Sequence, residues 1–198
     1  MMHSGKRRWS VTPIGAVMLL GALIADEGGI LRASVPAALV HEAGHLLAAF
    51  LLKIPIASFR FDVLGARLDV GGRLIGYREE WLLCAAGPLF NLLLSAAVVP
   101  LWHLSFFFYA LSCSSLLLGF LNLLPVASFD GGRMAEVTLT CFLGQNAACR
   151  IMNTVTVSAL FLLWLVSVYF LLRSSGGFSV FCFSLCLLAR FLECGKIG

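Results

Sequence analysis

Leu39-Val40-His41-Glu42-Ala43-Gly44-His45-Leu46-Leu47 sets two histidines and a carboxylate inside a long apolar run. On a helix, His41 and His45 stand one turn apart, about 6 Å along the axis and on the same face, so both imidazoles can reach one metal ion. Glu42 projects roughly 100° round from His41. That offset suits a general base acting on water beside the ion better than it suits a third ligand. The plainer alternative is two satisfied core histidines with a stray carboxylate. It is weakened by the surroundings: an ionisable side chain at mid-bilayer costs about 2.5 to 3.5 kcal/mol on insertion scales, and three of them need a common purpose.

The composition is what places these residues in a bilayer. The chain has 198 residues, of which 60% are apolar and 12% charged, with a mean hydropathy of +0.97. A soluble domain carries about 25% charged residues, so this is read as an integral membrane protein. The 16 Phe and 4 Trp suit lipid contact and interface anchoring. The formal charge is +4, and the basic residues are scattered between the apolar runs, which excludes a nucleic-acid patch. The 7 Cys include no C-x-x-C pair, and most fall in apolar runs, so they are assigned neither a metal nor a disulfide framework.

Working outward from the motif, its span covers residues 30–52 and ends at Lys53 and Pro55. Upstream, Lys6, Arg7 and Arg8 precede an apolar run over residues 11–25. It is read as a retained first span, because no small-x-small cleavage site precedes Asp26-Glu27. Downstream, residues 58–77 alternate with a period of two and contain Gly71-Gly72. They predict a short membrane-associated β-ribbon, the alternative being an ordinary loop. A third span over residues 81–102 carries Ala86-Gly87-Pro88-Leu89-Phe90-Asn91. Gly-Pro is expected to open or kink it, with Asn91 as a partner for the freed carbonyls. A fourth covers residues 106–124 and ends at Pro125; residues 134–150 predict a short interfacial helix, and spans over residues 151–172 and 178–191 follow. The fold class is therefore an all-α polytopic membrane protein of about six transmembrane helices with a short β-ribbon, one domain over residues 1–198 with its core at 30–135.

Lys and Arg collect in the segments on one side of these spans, which places the amino terminus and the loop after the motif in the cytoplasm. His41 and His45 then lie in the inner half of their span, and Asp130 just past the inner end of the fourth. A hydrolytic zinc site needs three protein ligands and one open position. Asp130 and Glu136 are the carboxylates at the right depth. Asp130 is favoured, because Gly131-Gly132 allow close backbone approach.

His-Glu-Ala-Gly-His at 41–45, Ala-Gly-Pro-Leu-Phe-Asn at 86–91, and Asn122-Leu-Leu-Pro125 leading to Phe129-Asp130-Gly131-Gly132-Arg133 occur here in one order. In these motifs the sequence resembles the site-2 protease family of intramembrane metalloproteases, over about residues 30–135. Phe129 stands where that family usually has Leu. The compact size, with no PDZ or CBS domain expected, looks most like the subgroup of the sporulation protease known as stage IV sporulation protein FB. The resemblance implies that His41, His45 and Asp130 bind Zn2+ and that Glu42 is the general base. It also implies that Asn91 and Asn122 lend polar support near the substrate backbone, and that the 58–77 ribbon pairs with an extended substrate. The implied partners are a membrane-tethered protein substrate, with a pro-sigma factor as leading candidate, the lipid bilayer and an inhibitory membrane protein, with no nucleic acid. Three other readings compete with this one: a metal transporter, which needs more intramembrane carboxylates and histidines along a path; a catalytically silent relative, which the intact Glu42 opposes; and a non-heme iron site of two histidines and a carboxylate.

Overall fold

A computed structural model describes residues 8–11, 26, 28–62, 65–70, 75–127, 129–173, 184, 185 and 188. Within them, strand β1 (Arg8–Val11) is followed by helix α1 (Ile30–Leu51), strands β2 (Ile56–Asp62) and β3 (Gly65–Val70), and helix α2 (Tyr77–Val98) with a 3-10 turn at Val99–Leu101. Helices α3 (Phe106–Asn122), α4 (Asp130–Leu143) and α5 (Gln145–Arg173) complete the order. Contacts gather the chain into two compact units, Met1–Leu121 and Asn122–Gly198.

Three stretches, Ile30–Leu51, Tyr77–Leu101 and Gln145–Arg173, are long and apolar enough to cross a membrane. The apolar α3 has 17 residues, at the short end of what spans a bilayer. Of the six spans read from sequence, the first (11–25) lies outside the described residues apart from Val11, and the sixth (178–191) apart from three isolated positions.

In the first unit, the face of α1 that is buried carries Ala33, Ala37, His41, Gly44 and Ala49. Without a water-driven hydrophobic force between helices in lipid, such small residues bring backbones together and let packing hold them. At Gly44 a Cβ would stand 2.8 Å from the Ala86 carbonyl oxygen and 3.1 Å from Phe90 Cβ, so α1 and α2 approach there too closely for any side chain. Ala33 and Ala37 pack with Val98, Ala110 and Leu111, and Ala49 packs with Ile54 and Leu83. Hydroxyl pairs tie the same helices together: Ser34 with Ser114 at 3.0 Å and the buried Ser95 with Ser112 at 3.0 Å.

Helix α2 differs from the expectation at both ends and in the middle. It begins at Tyr77, four residues before the anticipated start, because Glu79 Oε2 accepts from the Gly76 N–H at 3.2 Å and Glu79 and Glu80 sit in the first turn, where carboxylates favour the helix dipole. Tyr77 is thus helical rather than the end of a ribbon. The helix also runs unbroken through Gly87-Pro88, where a break was expected.

β2 and β3 pair antiparallel, with Phe59 opposite Leu68 and Arg60 opposite Arg67. Asp62 stands opposite Gly65 at the end of the pairing, while Gly71-Gly72 lie outside the described residues. β1 pairs with β2 in parallel, giving the order β1-β2-β3. With these three strands, the described chain is mostly helical rather than all-α.

In the second unit, α4 begins at Asp130 and ends where Gly144 adopts φ 80°. α5 then starts at Gln145, six residues before the expected span. Val126 and Leu160 form a small core with Phe129, Ala159 and Leu163 against them. Helix α3 stops at Asn122, two residues short of expectation. The physical reason is Pro125, which disfavours helical dihedrals at Leu124 and has no N–H to return to Leu121.

Candidate metal and catalytic site

His41 and His45 lie one turn apart on α1, and their Nε2 atoms converge to 3.2 Å. Their rings are nearly perpendicular, at 85° with centroids 4.8 Å apart. Two nitrogens bound to one tetrahedral zinc at 2.0–2.1 Å are about 3.3 to 3.4 Å from each other. The pair therefore stands close to the spacing that an ion between them requires. His41 is buried and His45 half-buried.

α2 supplies a partner to each of these rings. Leu83, Gly87 and Asn91 follow at intervals of four along one helical stripe. The Leu83 carbonyl lies 2.8 Å from His45 Nδ1. A carbonyl only accepts, so Nδ1 carries the ring hydrogen and Nε2 presents its lone pair. Asn91 Nδ2 lies 3.2 Å from His41 Nδ1. Between them, a Cβ at Gly87 would stand 2.8 Å from His41 Cε1 and would collide with His45 Nε2. Gly87 is thus the floor of the histidine pair. Sequence reasoning missed this, taking Gly87 for a kink. The signal was the four-residue spacing from Gly87 to Asn91, matching that of His41 to His45.

Glu42, the proposed base, follows His41 on α1 and is half-buried. Asp130 is the first residue of α4 and half-buried. Its position is set by two glycines that press on backbone: a Cβ at Gly131 would collide with the Leu123 carbonyl, and one at Gly132 with the Val126 carbonyl. Thr156 Oγ1, fully buried on α5, accepts from the Ala127 N–H at 3.0 Å and fastens the turn that leads into Asp130. Glu136, the other carboxylate considered, lies on the same helix about 9 Å further along and roughly 120° round from Asp130, so the two do not offer interchangeable positions. Asn122 is the last residue of α3. The structure brings Asn91 against the His41 imidazole.

The model of Peptidase family M50 matches residues 100–166, about a third of the chain, a stretch that contains Asn122 and Asp130 and follows the histidine pair. The solved Site-2 Protease from Methanocaldococcus jannaschii shares the fold, with a TM-score of 0.69 over 94% of this chain and 89% of that one at 19% identity. Among individual proteins, the chain is similar to Rip3 of Mycobacterium tuberculosis, which carries the name of a zinc metalloprotease. It is 29% identical over 142 residues in both the Erdman and the H37Rv strain, covering 66% of this chain and 32% of the relative. The chain spans about a third of the length of these curated relatives.

Proposed function

We propose that the chain is an intramembrane zinc metalloprotease of the site-2 type, hydrolysing a peptide bond of a membrane-tethered protein. The observation that carries this reading is the histidine pair, 3.2 Å apart at Nε2, with a carboxylate next in sequence and a glycine floor beneath. His41, His45 and Asp130 offer two imidazole nitrogens and one carboxylate oxygen, the ligand set of a hydrolytic zinc with one position open. Bound there, the ion would supply Lewis acidity, polarising the scissile carbonyl and making water acidic enough to ionise near neutral pH.

The remaining work falls to side chains. Leu83 and Asn91 fix the imidazoles. Glu42 takes the proton from the attacking water and hands it to the leaving amine, a role that contributes about 10²- to 10⁴-fold. A substrate helix hides its amides in its own hydrogen bonds and must unwind before it is cut. An extended segment can recover those bonds on a sheet edge. β2 has a neighbour on each side, so β1 or β3 takes the incoming strand. A membrane-tethered pro-sigma factor, suggested by the likeness to the sporulation subgroup, is the first substrate to assay.

The test is zinc content and cleavage of a co-expressed tethered substrate, scored on the same detergent-purified samples. Wild type should hold about one zinc and cut; His41→Ala and Asp130→Ala should lose both; Glu42→Gln should keep zinc and lose at least 100-fold in cleavage. Zinc retained in Asp130→Ala would displace the third ligand. Cleavage by Glu42→Gln would remove the general-base assignment, and a metal-free wild type would end the hydrolytic reading.

A further inference from the structure

Asn91 is 0% exposed, and while its Nδ2 faces His41 Nδ1 at 3.2 Å, its Oδ1 is buried without a hydrogen-bond partner. Leaving such an acceptor unmet costs about 1 to 3 kcal/mol. An amide can exchange its oxygen and nitrogen by a half-turn of the side chain, and the surrounding donors decide which end faces which neighbour.

Following the hydrogens shows what each orientation does. With Nδ2 toward His41, Nδ1 accepts and the ring hydrogen sits on Nε2, directed at His45 Nε2 3.2 Å away. Asn91, His41, His45 and the Leu83 carbonyl then form a one-way relay of donors. That relay puts a hydrogen in the gap where a cation belongs. With the amide turned over, Oδ1 accepts from His41 Nδ1–H, one hydrogen has moved from Nε2 to Nδ1 at constant ring charge, and both Nε2 lone pairs address the same point.

We propose that Asn91 is a positioning residue for His41: its amide oxygen holds the Nδ1–H tautomer that ligates metal, and the half-turn of this amide accompanies metal entry. The proposal rests on the zinc reading above. A second buried orphan on the neighbouring helix completes the balance. Ser115 Oγ on α3 is 0% exposed and without a partner, one turn before Gly119, where a Cβ would stand 3.4 Å from Asn91 Cβ. A water between the two side chains would give the turned Nδ2 its acceptor.

The decisive comparison is zinc affinity of the full chain in detergent, measured by competition with a chromophoric chelator, for wild type, Asn91→Asp and Asn91→Leu. Asp keeps an acceptor and has no donor. An oxygen-facing Asn91 therefore predicts that Asn91→Asp binds zinc within about threefold of wild type or more tightly, while Asn91→Leu binds 10- to 100-fold more weakly, as removal of a ligand's hydrogen-bond partner does. Equal weakening in both variants, or unchanged binding in Asn91→Leu, overturns the proposal. If Asn91→Leu fails to accumulate, Asn91→Asp still decides, because a donor role for Asn91 requires that variant to lose affinity. A wild type that binds no zinc overturns the underlying reading as well, whereas a zinc-binding wild type with the wrong variant pattern overturns this inference alone.

Discussion

A methyl group is enough to test the floor of the site. Gly87→Ala should gain intrinsic helix stability, since alanine is favoured over glycine by about 1 kcal/mol in a helix interior. Yet its Cβ would press on His41 Cε1 and His45 Nε2. The expected outcome is a helical content equal to wild type by circular dichroism with zinc affinity lowered at least tenfold. Gly144→Ala is the contrast: nothing lies within 4 Å of its Cβ, but its φ of 80° suits glycine, so it should cost about 1 kcal/mol in thermal unfolding and leave zinc affinity unchanged. At this scale the sequence was legible where chemistry depends on residue type. His41, Glu42 and His45 announce themselves by spacing. Gly87 and Leu83 act through a missing Cβ and a backbone carbonyl, features that every glycine and every residue possess, so only the packing of α1 on α2 picks them out.

The turn between α3 and α4 meets α5 through the packing of Val126 on Leu160 and through the Ala127 N–H to Thr156 Oγ1 bond. Thr156→Val keeps the shape and removes the acceptor, which should cost about 0.5 to 1.5 kcal/mol, because the Ala127 donor is exposed. Hydrogen exchange should accelerate in residues 123–130 while the middle of α5 stays protected. Uniform acceleration along α5 would instead mean that the threonine serves the helix as a whole. The position of α1 followed from an apolar run interrupted only by Arg32 and by the His41–His45 motif. The starts of α2 and α5 did not, because a carboxylate reaching back to Gly76 and a glycine at φ 80° outweighed the hydropathy that set the expected boundaries.

Across the whole chain, the distribution of Lys and Arg gives a testable orientation. Cys141 and Cys149, both exposed, flank Gly144 in a segment expected on the cytoplasmic side. A membrane-impermeant maleimide should label them in inside-out vesicles and spare them in intact cells, as read by mass mapping of the labelled peptides; labelling in intact cells would reverse the orientation. The helices were legible as apolar runs, whereas β1 was not. Four residues carry too little pattern, and their partner is distant in sequence. That distance also sets a schedule. About 45 residues separate Val11 from β2, so at a synthesis rate of about 5 to 20 residues per second β1 is made some 2 to 9 s before the strand it pairs with. Helix α1 is made in that interval. The sheet can close only after α1 has been made, so its first strand must wait while that helix is laid down.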